Sequence, residues 1–417
     1  MDRRRRLPQL NFHILRIRSV YNVLTKLSNS LSFALTRSTE KESALERRPS
    51  MSPVVLSDVD SVERFCNLIF ADAIPRASSI YGLFLSFSLS DPMDGPRWSI
   101  LAPRLAAILE AATHLEYLHL SATIRDPVFT AAAKVTSIQE LIVHVDPSRP
   151  SSREALRKFL TILRSPLRRL RINDDYEEDS GIYASFVHEN LAHFASTLEV
   201  LELNYLVLDV DPSAVTTPFV AVRSLKIVAS CYSASRFLPA ETLLRLFPNL
   251  HHTLEISALV ILCQDGPRYD RAAERERSKE IQTASTWSGL DHVICDTDAA
   301  FSLALRCPIN RMEINTVWFP TEERDLAEIL RYNTPRKLLF SCDAMHMNHL
   351  LFLSEATDKL THLVMSVKLD VGHPSKLSQT ARGAGNRVDI PWNQLTVRRH
   401  CVACMFCEAH ASHCMIF

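Results

Sequence analysis

Along the middle of the chain the hydrophobic positions recur at one spacing: an apolar residue, two others, a second apolar residue, one other, and a third. Leu115/Leu118/Leu120, Ile138/Leu141/Val143, Leu167/Leu170/Ile172, Leu198/Leu201/Leu203 and Val222/Leu225/Ile227 are the clearest copies. Leu290/Val293/Cys295, Ile309/Met312/Ile314, Pro335/Leu338/Phe340 and Leu360/Leu363/Met365 are weaker ones. Ile80/Leu83/Leu85 opens the series, and Leu250/Leu254/Ile256 carries one extra residue. The last two apolar positions are two apart, so both point to one face of a short strand. The first plugs the core where the strand begins.

Helical patterns fill the gaps. Leu101, Leu105, Ile108 and Ala112 form one stripe, and Leu156, Phe159, Leu160 and Leu163 form another behind a Ser151-x-x-Glu154 capping box. Thr321, followed by Glu322, Glu323 and Asp325, starts a third helix with Leu326, Ile329 and Leu330 facing inward. Strand alternating with helix predicts parallel strands joined by right-handed crossovers. From Leu115 the starts are 19 to 40 residues apart, within the leucine-rich-repeat range once insertions are allowed. The expected fold is therefore α/β: an irregular leucine-rich-repeat solenoid over residues 51–376, with a curved parallel sheet inside and helices outside. A closed doubly wound domain is the alternative, since it alternates the same elements. The 40-residue gap holds the charge-dense stretch 268–283, which is expected to be a solvated helix or loop, and Asp174, Asp175, Glu177, Glu178 and Asp179 an acidic loop.

Composition narrows the chemistry. Only 8 of the 417 residues are glycine, and no G-x-G-x-x-G, G-x-x-x-x-G-K-[ST] or G-x-S-x-G can be written. The 16 histidines include no H-E-x-x-H pair; His188/His193 and His346/His349 are close in sequence but lack a third ligand. The reading is non-enzymatic, with no cofactor and no metal. Lys plus Arg equals Asp plus Glu at 47 each, which argues against nucleic acid as a partner. The balance hides an asymmetry, because residues 1–50 hold eleven basic and four acidic residues. That basic arm reads as a tail with a surface helix, or as a mitochondrial presequence. Otherwise the expected compartment is cytoplasmic or nuclear.

The chain also resembles fungal, mushroom-type F-box proteins with leucine-rich repeats. The matching stretches are Ser-Val-Glu-Arg-Phe-Cys-Asn-Leu-Ile-Phe-Ala-Asp at 61–72, Arg-Ala-Ser-Ser-Ile-Tyr-Gly-Leu-Phe-Leu-Ser-Phe at 76–87 and His-Leu-Glu-Tyr-Leu-His-Leu at 114–120, with Phe-Pro-Asn-Leu at 247–250 as a further local turn. The resemblance implies a substrate receptor of a cullin-RING ubiquitin ligase, with an adaptor engaged through the N-terminal region. Leu7-Pro8, Leu10 and Ile14-Leu15 stand where such an F-box would open, without the acidic residue that normally follows. A scaffold without a ubiquitin role is the alternative, and an enzyme on a closed α/β fold is a third reading.

In the predicted strands the residues beside the inward pair line the concave face. Those expected to meet a protein or peptide partner are Tyr117, His119, Arg169, Arg171, Glu202, Lys226, Glu255, Arg311 and Glu313. Arg169 with Arg171 is the sharpest pair: a clamp for a carboxylate or phosphate, or simply cations paired with Glu202 next door. Residues 377–417 read as a polar linker and a Cys/His-rich tail. His400, Cys401, Cys404, Cys407, His410, His413 and Cys414 lack the loop of a structural zinc site. The last four residues, Cys414-Met415-Ile416-Phe417, have the C-a-a-X form, so Cys414 is a possible lipidation site and membrane contact depends on it.

Overall fold

The computed structural model describes residues 52–71, 76–86, 96–121, 126–145, 150–174, 182–207, 215–229, 240–258, 271–317, 320–343, 360–368 and 402–408. The chain divides into two compact units, Met1–Ser52 and Pro53–Phe417. Every element below lies in the second unit.

Strands and helices alternate from its start. They are β1 (Val54–Leu56), α1 (Val59–Phe70), β2 (Gly82–Leu85), α2 (Pro96–Ala111), β3 (Tyr117–Ser121), α3 (Asp126–Lys134), β4 (Glu140–Val145), α4 (Pro150–Ile162) and β5 (Arg169–Asp174). Next come β6 (Ile182–Tyr183), α5 (Ala184–Leu191), β7 (Val200–Val207), β8 (Ser224–Ala229), α6 (Ala240–Leu246), β9 (Thr253–Ala258) and α7 (Arg271–Ala284). The series ends with β10 (Leu290–Cys295), α8 (Thr297–Leu303), β11 (Ile309–Val317), α9 (Pro320–Tyr332), β12 (Lys337–Asp343), β13 (His362–Lys368) and β14 (Val402–Glu408). The strands form one open sheet in chain order, with the short β6 paired to the end of β7. All the strand pairs are parallel.

The repeated apolar motif builds this sheet. Leu118 and Leu120, Leu141 and Val143, Leu170 and Ile172, and Leu201 and Leu203 are buried in successive strands, with Leu115, Ile138, Leu167 and Leu198 buried at their starts. Their Cα positions are in register, so each apolar pair stacks on the next. Helices α1 to α5 and α6 to α9 each touch the next in line, and their buried stripes close over this face. The α2 stripe is Leu101, Leu105 and Ile108, and the α9 stripe is Leu326, Ile329 and Leu330. Among the described residues no helix is long and apolar enough to cross a membrane.

A second repeat lies in the backbone. The Tyr81 carbonyl, just before β2, accepts N–H bonds from both Glu116 and Tyr117, at 2.8 and 3.2 Å. The Glu116 carbonyl accepts from Gln139 and Glu140, Gln139 from Arg168 and Arg169, and Arg168 from Glu199 and Val200. Glu199 and Arg223 continue the pattern into β8 and β9. Each strand's start is thus tied twice to the one before it. Gly82 serves the same crowded edge: a Cβ there would stand 3.0 Å from that of Pro53.

The doubled bond is interrupted at β10, where Asp291 and His292 donate singly to the carbonyls of His251 and His252, and it returns at β13, where Thr361 and His362 both donate to the Arg336 carbonyl. This break follows the long charge-dense gap. That stretch is not simply solvated: Arg275, Ser278 and Gln282 of α7 are buried and face α8 and α9. Their spacing of three and four is a helical stripe made of polar residues, which an apolar periodicity does not reveal. Arg275 Nη1 donates to the Phe301 carbonyl at 2.7 Å, and its guanidinium stacks on the Phe301 ring at 4.3 Å. Gln282 Nε2 donates to the Leu303 carbonyl at 2.6 Å and to that of Ala304 at 3.2 Å, while its Oε1 accepts the Arg306 N–H at 2.9 Å. Ala304 ends α8 in the left-handed region, φ 45°.

Two substitutions test this joint. Ala304→Gly relieves the left-handed Cβ clash and is expected to raise stability by about 1 kcal/mol. Gln282→Leu leaves two carbonyls and one amide unpaired and is expected to cost about 3 kcal/mol. Urea midpoints of the two variants should move in opposite directions.

Candidate functional site

With the described helices over one face, the other face of the sheet is open among the described residues, and its side chains stand in registered rows. The central row reads Phe84, His119, Ile142, Arg171, Glu202, Lys226, Glu255, Ile294, Glu313, Leu339 and Val364 across β2 to β13. The row one step toward the strand starts reads Tyr117, Glu140, Arg169, Val200, Ser224, Thr253, His292, Arg311, Lys337 and His362. All nine residues expected on the inner face fall in these rows. Glu140 and Ile294 belong with them and were not singled out by the sequence reading, although Ile138/Leu141 and Leu290/Val293 bracket them as they bracket the others.

The face has three parts. In the first, Phe84 meets His119 edge-on at 3.9 Å, and His119 stacks on His144 at 4.7 Å. Asn173 Nδ2 and His144 Nε2 are 3.0 Å apart, and Asn204 Nδ2 donates to Asn173 Oδ1 at 2.9 Å. His119 is only 6% exposed, and its Nδ1 has no hydrogen-bond partner among the described residues. Burial, reinforced by His144 and Arg171, pushes its imidazole down to about 4. Burial and then Glu140 push the Tyr117 hydroxyl up, against the pull of Arg171.

The middle part is a ladder of alternating charge, Arg171, Glu202, Lys226 and Glu255. Arg171 Nε lies 3.5 Å from Glu202 Oε2 and donates to Asn173 Oδ1 at 3.0 Å. Lys226 Nζ lies 2.6 Å from Glu255 Oε1. The two arginines of the expected clamp are therefore not equivalent. Arg171 is held by its neighbours, whereas Arg169, one row away, has no ionic partner among the described residues.

The third part spans β10 to β13. Glu313 Oε1 receives both Arg311 Nη2 at 2.5 Å and His292 Nε2 at 2.8 Å. Ile294, Leu339 and Val364 lie half-buried beside it.

Other candidates stand apart. His188 Nε2 accepts the Thr216 N–H at 3.1 Å, and His193 packs on Phe194 at 3.8 Å, so the two face different partners. Among the described residues no group of three His, Cys, Asp or Glu is placed to hold a metal ion. Burial pushes the thiols up at Cys66, Cys295 and Cys307, the last to about 11, so they stay protonated. His346/His349, the acidic run from Asp175 and the C-terminal residues His400, Cys401, His410, His413 and Cys414 lie outside the described residues. The same holds for the Leu7-Pro8 segment and the Ser151 side chain of the expected capping box, whereas Glu154 is exposed. The backbone at 402–408 adds β14 to the sheet beside β13.

No family model matches the chain. No curated protein matches it either. A crystal structure of a Bacteroides fragilis protein is similar over 85% of this chain and 80% of its own, at 12% identity and a TM-score of 0.28. At that level the likeness bears on neither fold nor function.

The buried histidine makes a pH prediction. Unfolded His119 takes up a proton near the ordinary 6.5, and the native one only near about 4. Between those values the unfolded state holds the extra proton, so stability is full above 6.5 and falls as the pH drops toward 4, by up to about 3 kcal/mol. His119→Gln removes that contribution. Its urea midpoint should change less between pH 6.5 and pH 4.5 than that of the native chain, and an equal change would contradict the assignment.

Proposed function

We propose that this chain is a protein-recognition scaffold without catalytic activity, a curved leucine-rich-repeat solenoid that holds a protein or peptide partner on its open sheet face. The observation that carries this reading is the open face itself: two registered rows of charged, aromatic and aliphatic side chains running across as many as eleven strands, β2 to β13 without β6, on the side the described helices leave uncovered. Tyr117, His119, Arg169, Arg171, Glu202, Lys226, Glu255, Arg311 and Glu313 are the contact residues. A sheet face of this width suits a macromolecular partner better than a small molecule, which needs concave burial on most sides. The resemblance to fungal F-box leucine-rich proteins extends the reading: with an adaptor on the N-terminal region, the bound protein would be presented to a cullin-RING ligase for ubiquitin transfer.

Full-length bait and a charge swap test this. Lys226→Glu combined with Glu255→Lys keeps the 2.6 Å pair but reverses its order along the row. Recovery of specific partners should fall about tenfold while the melting temperature stays within about 2 °C. Unchanged recovery, with cross-links mapping to the helical face, would sink the open-face reading. Absence of cullin-ligase subunits from the recovered proteins would remove the ubiquitin role alone.

A further inference from the structure

The charge on the open face is not evenly spent: apart from the single Arg169, basic side chains gather at one end of it. His292, Arg311, Lys337 and His362 stand in register on four successive strands, β10 to β13. Glu313 is the acid in the neighbouring row, and one of its oxygens already serves both Arg311 and His292. Lys337 is exposed and has no ionic partner among the described residues. In the middle of the face, by contrast, Arg171 and Lys226 each lie against a carboxylate of their own.

Beside this basic row runs an aliphatic one, Ile294, Leu339 and Val364, interrupted only by Glu313. Neighbouring strands are about 4.8 Å apart, so the four-residue row spans about 14 Å, and the two rows lie about 6.6 Å apart. An extended peptide presents same-side residues about 6.8 Å apart, so three of them also span about 14 Å. A segment lying edge-on between the rows would send alternate side chains to each.

We propose that the β10–β13 part of the open face seats an extended partner segment in which acidic and aliphatic residues alternate, the acids on the His292–Arg311–Lys337–His362 row and the aliphatics on Ile294, Leu339 and Val364. This rests on the open-face reading above and places the partner's contact within it. The acids add charge-assisted bonds where cations are in excess, and the aliphatics cover apolar surface that is half-exposed.

Fluorescence anisotropy of the full chain with a short labelled peptide of alternating Glu and Leu tests it directly. Saturable binding should weaken as salt rises, and Lys337→Glu should weaken it about tenfold. Lys337→Glu removes no side-chain bond among the described residues, so circular dichroism and melting should match the native chain. Lys158→Glu, on the exposed side of α4, should leave binding within about twofold. A Glu/Ser peptide should bind more weakly, and a Lys/Leu peptide should not compete. Absence of saturable binding, equal binding by the Lys/Leu peptide, indifference to Lys337→Glu, or tighter binding of single-stranded RNA at the same row would each overturn the proposal. If Arg169→Gln releases the peptide and Lys337→Glu does not, the open-face reading stands and this placement falls. If the peptide cross-links to the helices and neither variant matters, both fall.

Discussion

A parallel sheet ordinarily has both faces covered, because its crossover connections lay helices there. Here the described helices lie side by side over one face. Everything on the other face follows from that constraint. The backbone groups are satisfied within the sheet, so the strands need no second layer for their hydrogen bonds. What remains is to keep a broad side-chain surface compatible with water. The Arg171–Glu202 and Lys226–Glu255 pairs do this at the centre, where residues of the same strand positions on the other face would be leucine and isoleucine. Their side chains are 22% to 44% exposed, so each pair contributes little to stability. Their effect is on what the face repels and accepts, because an alternating ladder discourages a flat apolar contact with another sheet.

The covered side is held by two kinds of repeat. Stacked apolar pairs supply burial, and the doubled N–H bonds to one carbonyl fix where each strand begins. Where the doubling lapses, at β10, a different device takes over. The polar stripe of α7 reaches the carbonyls that end α8, so the shortest helical connection in the second half is closed by Gln282 and Arg275. A polar joint is demanding: Ser278 Oγ is buried with no hydrogen-bond partner among the described residues, so small shifts of α7 have a direct cost. That makes this joint the place where spacing between neighbouring repeats is set by directional bonds more than by apolar fit.

Much of this was legible in the sequence, for a physical reason. The spacing of Leu115, Leu118 and Leu120 fixes which side of β3 is inward, and therefore that Tyr117 and His119 face the other way. Nine face residues follow from that rule applied strand by strand. What sequence spacing cannot supply is which cation is already spent. Arg171 and Glu202 are 31 positions apart, and only the register of β5 with β7 brings them together. Arg169 looks identical to Arg171 in the sequence, yet its register partner in β7 is Val200. The stripe of α7 was missed because Arg275, Ser278 and Gln282 are polar, and a charge-rich helix reads as solvated unless its partners are known. β1 fits the same spacing as Met51/Val54/Leu56, with Val54 and Leu56 in register with Leu83 and Leu85, and joins the series one unit before Ile80/Leu83/Leu85.

The distinction between spent and unspent charge also governs how any partner would be chosen. Outside residues 1–50 the chain holds more acidic than basic residues, 43 against 36. A partner rich in acids would therefore meet mild repulsion at long range and attraction near the β10–β13 row and Arg169. Charges farther away than about 8–10 Å are screened at physiological salt, so the acids on other surfaces matter little once contact is made. Long-range steering would not accelerate such an encounter. Discrimination would instead rest on how long the partner stays, which depends on short contacts with Lys337, Arg311 and the aliphatic row. A face whose central ladder is neutralised internally and whose end is not would thus concentrate recognition on a few residues, without any net charge in the chain as a whole.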